Sequence, residues 1–374
     1  MIEKIEIYWG SDNFFENAIE KLKNCRCLVD VFDYIKKIDI KVEGAPEQPP
    51  SPLDIENLII HTDDYGSANE WVILGFSNNI LENPKLAIKN VWMCNPPQQI
   101  LEDVKRAYSE ERIREHHMDY PAVTEDALRK IVAEYPNTII GQPHIVKSIL
   151  PAIYALQNPK RKRPVTLLFL GDSGIGKTET ANFIGECIEN EMVRIQFSMQ
   201  QTNNAGQYIF GGEHGEDSFA RCLIRRKSNL ILLDEFDKVS PVFYNAFYQM
   251  FDEGLFVDRN YKVDVSQCII ICTSNYKSEK DAEKNLGTPI YSRFSKVIKF
   301  KPISIEDKLK IAEKVYKSLF QSLKSEDQKL IPTDVVLHFY EHAIQEGKYP
   351  NIRMLKNDME EALYYEILHA KGIL

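Results

Sequence analysis

The sequence predicts an α/β protein in which helices flank a parallel β-sheet, followed by a small helical domain. Three short apolar runs, at 165–170, 230–233 and 269–272, are continuous, as expected of parallel strands buried on both faces. Helical patterns at 178–190 and 242–253 separate these runs. Alternation of strands and helices is typical of a parallel sheet with helices on both sides.

A separate small α/β domain is predicted for residues 1–95. Ser11 is placed to cap a helix after the first strand, and a proline-rich loop at 45–52 divides the domain. We recognise no catalytic motif in this domain. Its strand-like patterns occur at 3–9, 27–32, 39–42, 58–61, 71–76 and 91–94.

The rest of the chain divides into three predicted segments. Residues 96–120 are highly charged with a thin apolar stripe, which indicates a connecting helix that ends before Pro121. Residues 121–303 contain the parallel-strand pattern and form the large domain. Residues 304–374 are helical throughout and form a small lid domain, in which Ser304 is the predicted N-cap of the first helix.

The composition is that of an ordinary globular protein and argues against several classes of function. Of 374 residues, 44% are hydrophobic and 27% are charged, which is enough apolar material for at least one large core. The formal net charge of −9 argues against a general nucleic-acid binder. The chain has neither a signal-peptide pattern nor an apolar run long enough for a membrane span. We therefore expect a cytoplasmic protein that does not enter a membrane.

The segment 171–178 fits the phosphate-binding pattern G-x-x-x-x-G-K-[ST] at every fixed position. Its glycines let successive backbone N–H groups face phosphate oxygens, and the following helix adds its positive N-terminus. Lys177 is expected to reach the β- and γ-phosphates of ATP, and the Thr178 hydroxyl to bind Mg²⁺. The predicted nucleotide-binding residues here are Gly171, Asp172, Ser173, Gly174, Ile175, Gly176, Lys177 and Thr178.

Two further motifs supply the polar groups that phosphoryl transfer needs. Asp234 and Glu235 directly follow the apolar run 230–233, at the strand end where ligands of open α/β sheets bind. Asp234 is expected to hold Mg²⁺ and Glu235 to polarise the attacking water. A third strand ends in Thr-Ser-Asn, and Asn275 would reach the γ-phosphate if this strand lies between the other two.

Together these motifs resemble an AAA+ module of the Clp unfoldase and disaggregase clade, most of all the second ATPase module of ClpB and ClpC. The resemblance extends from about 122 to 356 and implies an AAA+ P-loop NTPase fold with a helical lid domain. It places Ile140 and Gly141 over the adenine of ATP. The segments that carry it follow the family's order, at 138–142, 164–178, 225–235, 247–258 and 273–275.

The resemblance implies two arginines that complete the site. Arg293 stands at the family's arginine-finger position, from which it would enter the site of a neighbouring subunit. Arg353 stands at the sensor-2 position of the lid domain, although Asn351 replaces the glycine found in many family members. A site completed by a neighbour requires a ring, so the resemblance implies a homo-oligomer, and a hexamer as in this family.

The resemblance also implies a substrate pore. The family carries an aromatic pore loop, commonly Gly-Tyr-Val-Gly, and the corresponding stretch here is 205–212. Tyr208 aligns with the pore tyrosine if Gln207 replaces the first glycine, and Phe210 is the alternative. An aromatic side chain at this place would grip an extended polypeptide by packing that tolerates many sequences.

Two other features limit the choice of partner. Clp rings that feed a protease carry a long loop with a hydrophobic tripeptide between sensor 1 and the arginine finger, whereas residues 276–292 are few and charged. This argues against docking to a ClpP-type protease. The basic run 160–163 is interpreted as a solvated loop rather than a nucleic-acid contact.

The function indicated by these residues is an Mg²⁺-dependent ATPase that remodels, unfolds or disassembles proteins, with the N-terminal domain selecting a substrate or adaptor. One alternative is a nucleotide-switched binding module, in signalling or defence, that does not thread a substrate. Another is a nucleic-acid-handling AAA+ ATPase, which the acidic balance disfavours.

Overall fold

A computed structural model describes residues 2–39, 51–158, 160–188, 191–200, 205–331 and 333–374. Two parallel sheets and a helical domain follow one another along the chain. The first sheet has the order β2-β3-β4-β1-β5 within the described residues, with every neighbouring pair parallel. Its strands are β1 (Lys4–Trp9), β2 (Cys25–Cys27), β3 (Leu53–Ile60), β4 (Leu86–Cys94) and β5 (Ile113–His117).

Helices pack on both sides of this sheet. Ser11 caps the first helix as predicted, because its hydroxyl accepts a hydrogen bond from the backbone N–H of Phe14 at 3.3 Å. A single-turn π-helix at Ser77–Leu81 precedes β4. The helices of this domain are α1 (Asp12–Ile19), α2 (Leu28–Asp39), α3 (Glu70–Leu74) and α4 (Gln98–Ala107).

Two predicted strands of the first domain are wrong. The stretch 27–32 is the end of β2 and the start of α2, and 71–76 lies mostly in α3. In both stretches, apolar side chains are buried at helical rather than alternate spacing: Leu28 and Val31 are buried in the first stretch. The predicted strand at 39–42 falls largely outside the described residues, as does most of the proline-rich loop.

The predicted connecting helix over 96–120 is also corrected. Only Gln98–Ala107 is α-helical, and Ile100 and Val104 of that helix are fully buried in the core of the first domain. The chain then forms β5, which pairs in parallel with β1 and completes the sheet. β5 is a mostly polar strand at the edge of the sheet, and the widely spaced apolar residues of this segment do not predict it.

The second sheet carries the predicted parallel strands. Its order within the described residues is β12-β6-β11-β8-β7, again parallel throughout. The strands are β6 (Val165–Leu170), β7 (Val193–Gln196), β8 (Leu230–Asp234), β11 (Ile269–Thr273) and β12 (Lys296–Lys299), and an antiparallel hairpin contains β9 (Leu255–Val257) and β10 (Lys262–Asp264).

Helices cover both faces of the second sheet, and two apolar clusters lie between helices and strands. The continuous apolar runs of the sequence are fully buried strands, as predicted. The helices are α5 (Glu125–Thr138), α6 (His144–Tyr154), α7 (Lys177–Cys187), α8 (Ala205–Phe210), α9 (Phe219–Ile224), α10 (Tyr244–Glu253), α11 (Glu279–Leu286) and α12 (Thr288–Tyr291).

The C-terminal part is helical, with a separate apolar core. Ser304 caps its first helix, since its hydroxyl accepts from the backbone N–H of Asp307 at 3.1 Å and donates to the Asp307 carboxylate at 2.8 Å. The helices are α13 (Ile305–Ser322), α14 (Ser325–Gln328), α15 (Thr333–Gln345) and α16 (Ile352–Ala370).

The first domain is held against the large domain by polar contacts. Arg225, just after α9, forms ion pairs with Asp12 and Asp63 at the carboxyl edge of the first sheet. Arg221 of α9 is almost fully buried and also pairs with Asp63. Gly66 lies against the backbone of Gly215, where a Cβ atom would stand 2.4 Å from the neighbouring Cα. The two domains are therefore fitted to each other by charge and by close backbone approach.

Candidate nucleotide site

The P-loop joins β6 to α7 through residues 171–176. Three glycines of this loop have φ angles that residues other than glycine rarely adopt. The angles are 135° at Gly171, 77° at Gly174 and 101° at Gly176. A Cβ on Gly171 would lie 2.6 Å from the Cδ1 of Ile175. The loop therefore needs glycine at these positions, and it leads directly into the N-terminus of an eleven-residue helix, where phosphate groups bind favourably.

Lys177 is the first residue of α7, and its side chain is folded back over the loop. Its Nζ donates to the carbonyl oxygens of Gly171 and Asp172, the latter at 2.8 Å, and lies 3.4 Å from the Oδ1 of Asn275. Burial lowers the pKa of Lys177 to about 8, and the neighbouring carboxylates, Asp237 foremost, oppose that shift. Bound phosphate oxygens would likewise stabilise the charged form of Lys177.

Asn275 is brought to the P-loop by the strand order. β11 lies between β6 and β8, so that its carboxyl end stands between the P-loop and the acidic pair. This is the order that the sequence argument required. Asn275 follows β11 directly and lines the same cavity as Lys177.

Asp234 and Glu235 leave β8 in different directions. Asp234 is buried, and its Oδ1 accepts from the Thr273 hydroxyl at 2.5 Å while its Oδ2 accepts from the Nε of Arg194 at 3.0 Å. Glu235 has left-handed backbone angles of φ 57° and ψ 46°. Its backbone N–H donates to the Thr273 hydroxyl at 2.9 Å. The left-handed turn ends the strand abruptly at the cavity.

These groups converge on one cavity of about 600 Å³. The large domain supplies the P-loop, the acids and Asn275, and the helical domain supplies Arg353. Gly171 and Asp172 lie at the start of the loop and Gly141 lies beside Ile140, each just outside the lining. The predicted residues that line the cavity are Ile140, Ser173, Gly174, Ile175, Gly176, Lys177, Thr178, Asp234, Glu235, Asn275 and Arg353.

Ile140 and the residues before it also line the cavity. Gly141 has a φ of 84°, and a Cβ there would stand 3.3 Å from the Oδ2 of Asp307 in the helical domain. Gln142 is fully buried, and its Nε2 donates to the carbonyl of Lys301 at 2.7 Å and of Ile175 at 3.3 Å. The side chain of Gln142 thus ties the P-loop, at Ile175, to the segment that precedes the helical domain, at Lys301.

Asn351 has a clear role in this structure. Its side chain caps α16 by accepting from the backbone N–H of Met354 at 3.0 Å. A Cβ on Gly174 would stand 3.1 Å from the Cβ of Asn351. Asn351 therefore starts the helix that carries Arg353, and a side chain at position 174 would crowd it.

Arg293 is not part of this cavity. Its Nε donates to the Oδ2 of Asp252 at 2.6 Å, and its guanidinium lies 4.3 Å from the centre of the Tyr248 ring. Within one chain it is held on the surface of the large domain beside α10. This placement separates Arg293 from the other predicted site residues.

The two candidate pore aromatics differ in exposure. Tyr208 is partly buried, with its ring edge-on to Phe219, and burial raises the pKa of its hydroxyl. Phe210, at the end of the same short helix, is 45% exposed and packs on Phe243. Of the two, Phe210 has the free ring surface.

Sequence reasoning missed three polar side chains at the cavity. Arg194 and Thr273 contact Asp234 across neighbouring strands, which no local motif indicates. Asp237 is two residues after Glu235, and among the described residues its Oδ1 is buried without a hydrogen-bond partner. The third acid after the apolar run was the available signal for Asp237. The contacts of Arg194 and Thr273 with Asp234 depend on the order of the strands and have no signal in the local sequence.

The residues of the cavity fit Mg²⁺ with a nucleoside triphosphate. A loop whose three glycines have positive φ angles leads into the N-terminus of α7, and the buried Lys177 stands beside it. Thr178 and Asp234 offer the hydroxyl and carboxylate oxygens that Mg²⁺ prefers. Bound Mg²⁺ would neutralise phosphate charge, and Thr178 and Asp234 are the residues placed to hold it.

Comparison with known proteins finds similarity over the domain that contains most of this cavity. Residues 162–329 match the model of a family described as AAA domain (Cdc48 subfamily). The chain is 28% identical over 238 residues to the chaperone protein ClpB of Chlamydia pneumoniae, covering 54% of this chain and 27% of that protein. It is 28% identical over 262 residues to ClpB of Mycoplasmoides gallisepticum, covering 62% and 36%, and 30% identical over 218 residues to ClpB of Helicobacter hepaticus, covering 50% and 25%.

The chain spans between a quarter and just over a third of the length of these relatives. The similarity covers the domain that holds the nucleotide cavity, and the family model begins at residue 162, after the first sheet. In the part of the chain that the structure describes, no helix has both the length and the apolar character that crossing a membrane requires.

Proposed function

We propose that this chain, which carries an AAA+ ATPase domain of the Clp clade, hydrolyses ATP and uses the energy to remodel protein substrates. The observation that carries the proposal is the convergence of a phosphate cradle, a buried lysine and two strand-end acids in one cavity. Phosphoryl transfer needs positioning and charge neutralisation more than covalent chemistry, and these groups supply both.

Each residue has a task in that reaction. The P-loop backbone and Lys177 hold the phosphates, and Thr178 and Asp234 hold Mg²⁺. Glu235 accepts a hydrogen bond from the attacking water and polarises it. The Oδ1 of Asn275 lies 3.4 Å from the Nζ of Lys177, and this side chain orients the γ-phosphate or the water. Arg353 and Lys356 enter the cavity from the helical domain, so that nucleotide binding draws the lid domain toward the P-loop.

The reaction is tested by Glu235→Gln. This variant keeps the size of the side chain and removes its charge, so we expect unchanged ATP binding and loss of turnover by about a hundredfold or more. Nucleotide binding is followed by fluorescence of a labelled ATP analogue and turnover by phosphate release. Turnover close to that of the wild-type protein would show that Glu235 does not act on the water.

The proposed assembly is a homo-oligomeric ring of six subunits. Arg293 supports it because this side chain sits on the outer surface of the large domain, away from the cavity of its own chain. In a ring it would reach the cavity of the next subunit and stabilise the charge that develops on the phosphates. We expect Arg293→Ala to abolish turnover while leaving ATP binding to the isolated chain intact.

Substrate handling is proposed for the exposed surface around Phe210. Arg259 joins this surface to the first domain: its backbone N–H donates to the carbonyl of Phe210 at 2.9 Å, and its guanidinium pairs with Glu70 of α3 at 2.8 Å. Trp71 and Leu74 of α3 are both more than 60% exposed. The first domain would therefore present substrate or adaptor beside the pore aromatic.

The pore role is tested with matched variants. Phe210→Ala should abolish the stimulation of ATPase activity by an unfolded model protein and leave basal turnover intact, because Phe210 lies outside the nucleotide cavity. Tyr208→Ala removes a packed ring and serves as the comparison. If Phe210→Ala retains full stimulation and remodelling, Phe210 is not the pore aromatic. If the wild-type protein shows neither stimulation nor remodelling, it is better described as a nucleotide-switched module that does not thread a substrate.

A further inference from the structure

The hydroxyl of Thr273 is shared by the two acids of the site. Thr273 is the last residue of β11, and its side chain is 2% exposed. Its Oγ1 donates to the Oδ1 of Asp234 at 2.5 Å and accepts from the backbone N–H of Glu235 at 2.9 Å. One buried oxygen therefore joins the third strand of the site to both acids of the neighbouring strand.

The chemistry of these two contacts requires a hydroxyl. An ionised carboxylate accepts hydrogen bonds only, and a backbone N–H donates only. Asp234 thus needs a donor and Glu235 needs an acceptor, and a hydroxyl is the smallest side-chain group that offers both. A β-branched residue at the end of a buried strand holds that hydroxyl in a restricted rotamer.

The second contact bears on a strained conformation. Glu235 has left-handed backbone angles, which residues other than glycine adopt rarely and which cost free energy unless the surroundings hold them. This turn takes Glu235 out of the strand direction and into the lining of the cavity. The contact from Thr273 is the one that satisfies the N–H of Glu235 in that conformation.

We propose that Thr273 is a positioning residue for ATP hydrolysis: its hydroxyl fixes the Asp234 carboxylate toward Mg²⁺ and holds the turn that aims Glu235 at the attacking water. The inference rests on the proposed ATPase function and adds the group that keeps both acids in register. Arg194 holds the other oxygen of Asp234, so removal of the Thr273 hydroxyl leaves Asp234 tied at one side only.

The test compares Thr273→Val with Thr273→Ser. Valine has nearly the same shape without the hydroxyl, whereas serine keeps the hydroxyl and loses the methyl group. For Thr273→Val we expect ATP affinity without Mg²⁺ within about threefold of wild type, kcat lower by about tenfold to a hundredfold, and a higher Mg²⁺ concentration for half-maximal rate. Thr273→Ser should stay within about threefold of wild type in all three quantities.

Three results would overturn the inference. One is a Thr273→Val variant with wild-type kcat and Mg²⁺ dependence. Another is equal loss in the valine and serine variants, which would indicate packing at this site rather than hydrogen bonding. The third is loss of Mg²⁺-free ATP binding in Thr273→Val with its folded circular dichroism spectrum intact.

Failure of the ATPase proposal is recognised separately. Wild-type protein and Glu235→Gln are measured in the same assay, and absence of turnover in the wild type contradicts the proposed function. In that event the gain in ATP affinity on adding Mg²⁺ still tests Thr273. We expect Thr273→Val to reduce that gain and Thr273→Ser to keep it, and an unchanged gain in the valine variant contradicts the inference.

Discussion

Lys177 shows at the residue scale how the fold prepares a site for phosphate. The sequence motif identified this lysine, as it identified Thr178, Asp234 and Glu235, because each motif is local and its spacing reflects the chemistry. Burial of the ammonium group and its effect on the pKa depend on the whole fold and have no signature in the sequence. The contact from Thr273 was hidden for the same reason, since it depends on strand pairing.

The lowered pKa of Lys177 predicts a pH dependence. Burial disfavours the charged form, so the ammonium group of the free protein is lost as pH rises through about 8. Since kcat/KM reports the free protein, it should fall by about tenfold per pH unit above that value. Bound phosphates favour the charged lysine, so kcat should hold to higher pH.

The control for this prediction is Lys177→Arg, whose guanidinium stays charged over the whole range. Its residual kcat/KM for ATP should lack the step near pH 8. A wild-type kcat/KM that is flat from pH 7 to well above 8, or the same step in the arginine variant, would show that another group titrates.

At the element scale, buried parallel strands were the easiest to predict, and the small first domain was the hardest. The runs that form β6, β8 and β11 are continuous and apolar, which is typical of strands buried on both faces. In the first domain, short apolar runs fit a strand or a helix equally well, so the sequence predicts strands where the structure has the start of α2 and most of α3. The edge strand β5 is polar and exposed, and only pairing with β1 identifies it.

The start of α16 gives a prediction at this scale. Asn351→Ala removes the cap of the helix that carries Arg353, which should lower stability by about 0.5–2 kcal/mol. We also expect weaker ATP binding, because loss of the cap would loosen the start of the helix that carries Arg353 into the cavity lining. Denaturant unfolding and nucleotide titration measure the two effects.

Asn351→Ser is the matched control because serine is also a good N-cap. It should restore stability to near the wild-type value. If alanine and serine variants lose the same stability, the cap hydrogen bond does not determine how α16 begins.

At the scale of the whole molecule, the first domain contacts the large domain close to the segment that leads into β8. Arg225, which pairs with Asp12 and Asp63, lies nine residues before Asp234 in the segment that leads into β8. A cavity of about 770 Å³ lies between the two domains, lined by Trp9, His117 and Arg226 among others and separate from the P-loop. The sequence motifs of the ATPase domain gave no indication of this contact.

The ion pairs of Arg225 predict how the domains stay together. Arg225→Glu would face Asp12 and Asp63 with a like charge, and we expect faster proteolysis of the segment between the domains. The double variant Asp12→Arg with Arg225→Glu exchanges the charges and leaves Asp63 paired with Arg221. These groups are partly exposed, so the effect should be modest and should weaken in high salt.

Proteolysis rates of the wild-type protein, Arg225→Glu, Asp12→Arg and the double variant form a double-mutant cycle. The double variant should be cut more slowly than Arg225→Glu alone. If the two variants are cut at the same rate, the pairing between Arg225 and Asp12 does not hold the domains together.

The central claim is that the ATPase site is shared between subunits, and a mixing experiment tests it most directly. Glu235→Gln lacks the acid, Arg293→Ala lacks the arginine, and each alone should be close to inactive. In rings formed from equal amounts of both, about a quarter of the sites combine an intact Glu235 with an intact Arg293 from the neighbour. ATP turnover should therefore reappear on mixing, and mixed rings that stay inactive would contradict the shared site.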